Sequence, residues 1–174
     1  GVVLTMAIDL AATARRLMLE QGFEPDMPPA VAAELATPRP LPAIGPDVVD
    51  LRDLLWSSID NDASRDLDQI EVVEDLPEGA TRVRVGIADV DVHAIDRHAA
   101  TETTTVYAGV AVFPMLPEAL STDATSLNER GERAALITEF VVGPDGAVSD
   151  GRVYRALVRN QARLTYNAMG AWLE

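Results

Sequence analysis

The segment Ser58-Ile59-Asp60-Asn61-Asp62-Ala63-Ser64-Arg65-Asp66-Leu67-Asp68-Gln69 places Asp60, Asp62, Asp66 and Asp68 within nine positions, just ahead of an apolar run. Carboxylates that close resist joint ionisation unless a cation compensates them. A loop folding back on itself could aim several at one hard ion. Magnesium takes a few carboxylates plus waters and phosphate oxygens, which suits phosphodiester chemistry. Spacing alone leaves this reading level with a solvated acidic turn, since Asp, Asn and Ser are ordinary loop residues. A lesser rival is an EF-hand-like calcium loop: from Asp60 as first position, Asp62, Ser64, Asp66, Asp68 and Glu71 fall at ligand positions. Arg65 then stands where the sharp turn wants glycine, and Val72 to Pro77 makes a poor exit helix.

Other chemistry-bearing residues are less pointed. His93 and His98 are five apart, which fits neither one helix face nor a familiar zinc pattern. Ser57, Ser58 and Ser64 have no histidine nearby in sequence, and no G-x-x-x-x-G-K-[ST] loop is present. Arg152, Arg155, Arg159 and Arg163 form the only basic stretch, either an RNA-backbone track or a solvated strand face. Asp89, at the end of a predicted strand, is either a strand-end cap or a support for the acidic loop.

The elements that must position these residues read as α+β. Apolar spacing predicts a helix over 5–22, stopped at Gly22, and a second over Pro29 to Leu35 with proline in its first turn. Pro38, Pro40, Pro42 and Pro46 mark an extended connector. Strands are predicted over Ile70 to Glu74, Arg82 to Ile87 and Thr104 to Phe113. A hairpin follows over Leu136 to Val142 and Ala147 to Val158, turning at Gly143-Pro144-Asp145-Gly146. Helices are predicted over Asp96 to Thr101 and Thr165 to Leu173. The domain reading is a helical segment over 1–36, a proline-rich linker over 37–49 and a main domain over 50–174.

Composition sets the outer bounds. The 174 residues are 48% hydrophobic, so a sizeable core is available. There are no cysteines, which excludes disulfides and cysteine-ligated zinc and fits a cytoplasmic protein. Asp9, Arg15, Arg16 and Glu20 interrupt the apolar start, so neither a signal peptide nor a membrane span is expected. The formal charge of −14 argues against a conventional DNA-binding module. It is compatible with a nuclease, whose site needs clustered acids.

The acidic loop does not stand alone. Val85-Gly86-Ile87-Ala88-Asp89-Val90, Val106-Tyr107, Pro114-Met115-Leu116-Pro117, Ser126-Leu127-Asn128-Glu129-Arg130 and Ala162-Arg163-Leu164-Thr165-Tyr166 follow in order. Together with the loop, this set resembles the first part of the catalytic domain of the ribonuclease II (RNB) family. Members of that family carry I-D-x-x-x-x-x-D-x-D-D, then I-A-D-V, then P-M-L-P. The resemblance covers about Asp50 to Glu174. It implies an α+β fold with a mixed, largely antiparallel sheet, truncated relative to the family.

The resemblance also implies 3′-to-5′ hydrolysis of single-stranded RNA to nucleoside 5′-monophosphates with Mg2+. Asp60, Asp66 and Asp68 match the metal-holding and catalytic aspartates, Asp68 being the one tied most closely to catalysis. Tyr107 matches an aromatic that stacks on the 3′-terminal base of the RNA. Gln69 stands where the family has its last loop aspartate, and Asp62 has no counterpart. The family's later arginine-rich segment lies past Glu174, so the chain alone is expected to be inactive and to need that missing C-terminal part as a partner. The alternative is a catalytically degenerate RNB-like module that binds RNA or protein.

Overall fold

The computed structural model describes residues 8–37, 40–90, 93–117, 120 and 125–174, with backbone only at 93 and 94. The chain divides into two compact units, each assembled from two stretches of sequence. One comprises Gly1–Pro38 and Asp91–Glu118, the other Arg39–Val90 and Ala119–Glu174.

The first unit holds helices α1 (Leu10–Glu20), α2 (Pro29–Leu35) and α3 (His93–Glu102), and the short strands β5 (Val106–Tyr107) and β6 (Val112–Phe113). Asp9 caps α1 by accepting from the Ala12 amide at 2.9 Å, and Gly22 follows its end at φ +87°, the left-handed conformation glycine adopts cheaply. The portion of the predicted helix over 5–7, and linker residues 38 and 39, lie outside the described residues. The single strand expected over Thr104 to Phe113 is instead a small antiparallel pair, Val106 facing Phe113 and Tyr107 facing Val112. Gly109 at φ +76° and an Ala108-to-Ala111 hydrogen bond turn the chain between them. β-Branched residues favour strand, but the glycine breaks the run.

The second unit is a seven-stranded sheet in the order β1-β8-β7-β4-β3-β2-β9. Its strands are β1 (Val48–Asp50), β2 (Ser57–Asp60), β3 (Gln69–Asp75), β4 (Thr81–Ala88), β7 (Glu132–Val142), β8 (Val148–Arg159) and β9 (Ala162–Thr165). The outermost pairs, β1 with β8 and β2 with β9, are parallel; all others are antiparallel. Helix α4 (Tyr166–Leu173) leaves β9 directly, its N-terminus capped by Thr165. The α+β fold with a mixed, largely antiparallel sheet is therefore present. Of its seven strands the sequence pattern shows β3, β4, β7 and β8. β1, β2 and β9 are three or four residues long and carry too few apolar positions to alternate visibly.

One face of this sheet carries the core. Trp56, Ile70, Val72, Leu127, Ala135, Ile137, Ala156 and Val158 form one buried cluster. Gly86 lies in its centre, where a Cβ would meet Ile137 and Ile70 at 3.2 Å. Further along the same strands the apolar face gives way to ions. Glu139 accepts from Arg84 Nε (2.7 Å), Arg152 Nη2 (2.7 Å) and Tyr154 Oη (2.6 Å). Among the described residues no helix is long and apolar enough to cross a membrane.

Candidate active site

The acidic loop joins β2 to β3, and backbone bonds hold its second half at three points. The Leu67 amide donates to Ser126 Oγ at 3.1 Å. The Leu67 carbonyl accepts from the Leu127 amide at 2.7 Å, and the Asp68 carbonyl from the Ala88 amide at 2.9 Å. The Leu67 side chain is buried. In extended chain, neighbours of an inward residue project the other way, so burying Leu67 turns Asp66 and Asp68 outward. The Ile87-to-Val90 and Ser126-to-Arg130 motifs thus act physically as a clamp, the first on Asp68 and the second on Leu67.

The first half of the loop is tied to β9 and α4. Arg163 Nη2 donates to the carbonyls of Asp62 (3.0 Å) and Ser64 (2.6 Å). Asn167 Nδ2 donates to Asp62 Oδ2 at 2.7 Å, so that carboxylate serves the loop's shape. Asp60 accepts from the Asn61 amide (2.7 Å) and from Ser64 Oγ (2.8 Å). Asn160, fully buried, donates to Ser58 Oγ (3.1 Å) and to the Leu127 carbonyl (2.9 Å), joining β2 to the clamp.

These ties leave a cleft of about 140 Å³ lined by Ser58, Asp60, Leu67, Asp68, Gln69, Glu71 and Tyr166 among others. Asp60 and Asp68 both face it. Partial burial, then the charges of Asp68 and Asp60, hold the Asp66 carboxyl above the ordinary carboxylate range. The three aspartates therefore lie close enough for Asp66 to feel the charge of the other two. Among the described residues no three such groups close around a single point. Magnesium does not require that, since it keeps several waters and often uses only one or two carboxylates.

The donor set suits such a cation on two further grounds. All candidate side-chain donors are carboxylate or amide oxygens, which hard divalent ions prefer. In addition, Glu71 Oε2 is buried and accepts no hydrogen bond from the described residues. The sequence pattern offers Glu71 only as the last position of a calcium loop. That geometry is absent: strands β2 and β3 flank the loop, whereas an EF-hand is flanked by helices.

The remaining candidates fall elsewhere. Tyr107, on β5 of the first unit, is 78% exposed and free to stack on a planar ligand. His98 is buried with Nδ1 3.7 Å from Glu24 Oε2, and the His93 side chain lies outside the described residues. The basic stretch is engaged within its own unit. Arg152 binds Glu139, Arg155 binds Asp89, Arg159 lies 3.7 Å from Asp53, and Arg163 holds the acidic loop. Asp89 is thus joined to an arginine.

Residues 48–174 match the RNB domain family. The chain belongs to that family. It is 37% identical over 131 residues to ribonuclease R of Vibrio parahaemolyticus, covering 72% of this chain and 16% of the relative. The fold resembles Mycoplasma genitalium RNase R in complex with double-stranded RNA, with TM-score 0.78 and 26% identity over 95% of this chain and 30% of that one. It equally resembles the same enzyme in complex with ribose methylated single-stranded RNA, with TM-score 0.79 and 26% identity, covering 95% and 27%. The chain therefore spans less than a third of these ribonucleases.

Proposed function

We propose that this chain carries the acidic half of the active site of a 3′-to-5′ exoribonuclease acting on single-stranded RNA in the cytoplasm and releasing nucleoside 5′-monophosphates. The observation that carries the reading is the closeness of Asp60, Asp66 and Asp68 at a clamped loop of an RNB-family sheet. Relatives bound to RNA support the substrate class.

Asp60 and Asp68, from the cleft wall, would hold Mg2+, with Asp66 adding charge beside them. A divalent cation held there would neutralise charge on the scissile phosphate and acidify the attacking water. Asp68, fixed through its own carbonyl and through Leu67, would orient that water. Ser64 and Asn61 keep Asp60 aimed by donating to its oxygens. Tyr107 grips the terminal base by stacking, worth about 1–3 kcal/mol for any base.

The test uses the natural protein that contains this chain, a labelled oligoribonucleotide and magnesium. Asp68→Asn should abolish monophosphate release while RNA binding persists; near-normal turnover would refute the assignment. The 174-residue chain alone should be inactive, and adding the remaining part of the RNB domain should restore turnover. A second reading, an RNB-like module that binds without cleaving, is favoured by Gln69 at the family's last loop aspartate. Inactivity of the natural protein with intact RNA binding would select it.

A further inference from the structure

Arg163 belongs to the basic stretch whose spacing leaves two readings open, an RNA-backbone track or a solvated strand face. The structure gives it a third task. β9 pairs in parallel with β2, setting Arg163 beside Ser58 and Thr165 beside Asp60. Paired residues share a face, and so do residues two apart, so Arg163 leaves the sheet on the side of Ser58 and Asp60. Its Nη2 donates to the carbonyls of Asp62 (3.0 Å) and Ser64 (2.6 Å). Those carbonyls belong to a turn closed by the Ser64 amide on the Asn61 carbonyl at 3.1 Å. Ser64 Oγ then donates to Asp60 Oδ2 at 2.8 Å. A continuous path of hydrogen bonds thus runs from the guanidinium through Ser64 to a carboxylate of the cleft.

The donor count decides between this task and RNA contact. Nη2 carries two hydrogens, and the two carbonyls take both. Both edges by which a guanidinium forks onto a phosphate include Nη2, so its bidentate grip is taken up by the loop. Residues 61–66 bury no side chain, so hydrogen bonds rather than packing must fix this half of the loop. We propose that Arg163 is a positioning residue for the hydrolytic site. By holding the 61–64 turn it fixes Ser64, and Ser64 fixes the carboxylate of Asp60. It acts through the loop backbone and touches neither RNA nor the cation. This inference rests on the reading of the acidic loop proposed above.

The experiment compares Arg163→Gln, Arg163→Lys and Ser64→Ala with wild type in the natural protein that contains this chain. Arg163→Gln should lower kcat on a labelled oligoribonucleotide about 10–100-fold, with KM within about twofold. Arg163→Lys, whose ammonium can still donate to both carbonyls, should recover to within about threefold of wild type. Ser64→Ala cuts the same path one link later and should lower kcat about tenfold. The double variant Arg163→Gln/Ser64→Ala should match the slower single within about twofold, and losses that multiply would overturn the proposal. An RNA-contacting arginine would instead raise KM, leave kcat alone and flatten the log–log salt slope of binding by about 0.7. A purely structural one would lower the thermal midpoint and leave kcat alone. Either result overturns the proposal. A further readout needs no turnover: in chelator, trypsin should cut after Arg65 at least about threefold faster in Arg163→Gln. Equal cutting would show a loop independent of Arg163 and count against the idea. If Arg163→Gln does not fold, unchanged kcat in Ser64→Ala is decisive against it. Asp60→Asn separates the two levels. Turnover lost in Asp60→Asn but kept in Arg163→Gln sinks only the role of Arg163. Near-normal turnover by Asp60→Asn, or none by the wild type, sinks the hydrolytic reading of the loop, and this inference with it.

Discussion

Glu139 and Asp66 are carboxylates of one sheet unit, and their surroundings treat them in opposite ways. Burial alone would raise the Glu139 pKa, but hydrogen bonds from Tyr154, Arg152 and Arg84 hold it down to about 2. Among the described residues no such donor reaches Asp66; burial and the charges of Asp68 and Asp60 push it up. Arg84, 8% exposed, and Glu139, 4% exposed, complete each other inside the protein. In the acidic loop, among the described residues, no arginine pairs with the carboxylates of Asp60, Asp66 or Asp68. The difference separates acids that hold a fold together from acids that the fold holds ready for something else.

The largest effect should come from Glu139→Ala. It strips the partner from a buried guanidinium, and we expect a loss of about 3–4 kcal/mol in urea denaturation. A loss below about 1 kcal/mol would erase the distinction between the two carboxylates.

Acid should report the same pair without mutation. The folded-state pKa of Glu139 is depressed, so its contribution is present above the ordinary glutamate value and disappears as pH falls from about 4.5 toward about 2. Up to about 3 kcal/mol is at stake, and Glu139→Gln should flatten that limb of the stability curve. Asp66 runs the other way. Its pKa is raised, so its contribution is present below the usual carboxylate range and is lost as pH rises through the folded value. Carbon-detected NMR titration of the two carboxyls would show the opposed shifts directly, and added Mg2+ should lower that of Asp66 alone.

Asn160→Ala comes next. It removes the donor to Ser58 and to the Leu127 carbonyl, and about 2 kcal/mol of stability should go with them. Asp66→Asn should change metal-free stability least, by under about 1 kcal/mol and toward greater stability, as relief of like charge predicts. Destabilisation by Asp66→Asn on the scale of Glu139→Ala would make the loop another structural network.

The sequence displayed one half of this contrast and hid the other. Asp60, Asp66 and Asp68 were legible because their spacing lies within one loop and repeats a family pattern. Glu139 was not, because a glutamate inside an alternating strand looks solvent-facing until the register with Arg84 and Arg152 is known. Leu67 looked incidental, although its burial is what turns its neighbours outward. Strands β3, β4, β7 and β8 declared themselves by alternation. β2 and β9 depend on pairing between residues about a hundred positions apart, a relation local pattern does not carry.

That separation has a consequence for how the protein is made. Ser58 waits for Asn160, Ser64 for Arg163, and Asp62 for Asn167, across 102, 99 and 105 positions respectively. A ribosome emits chain from the N-terminus, so the aspartates emerge long before the residues that shape their loop. The shape of this loop is therefore withheld from the nascent chain until β9 and α4 have emerged.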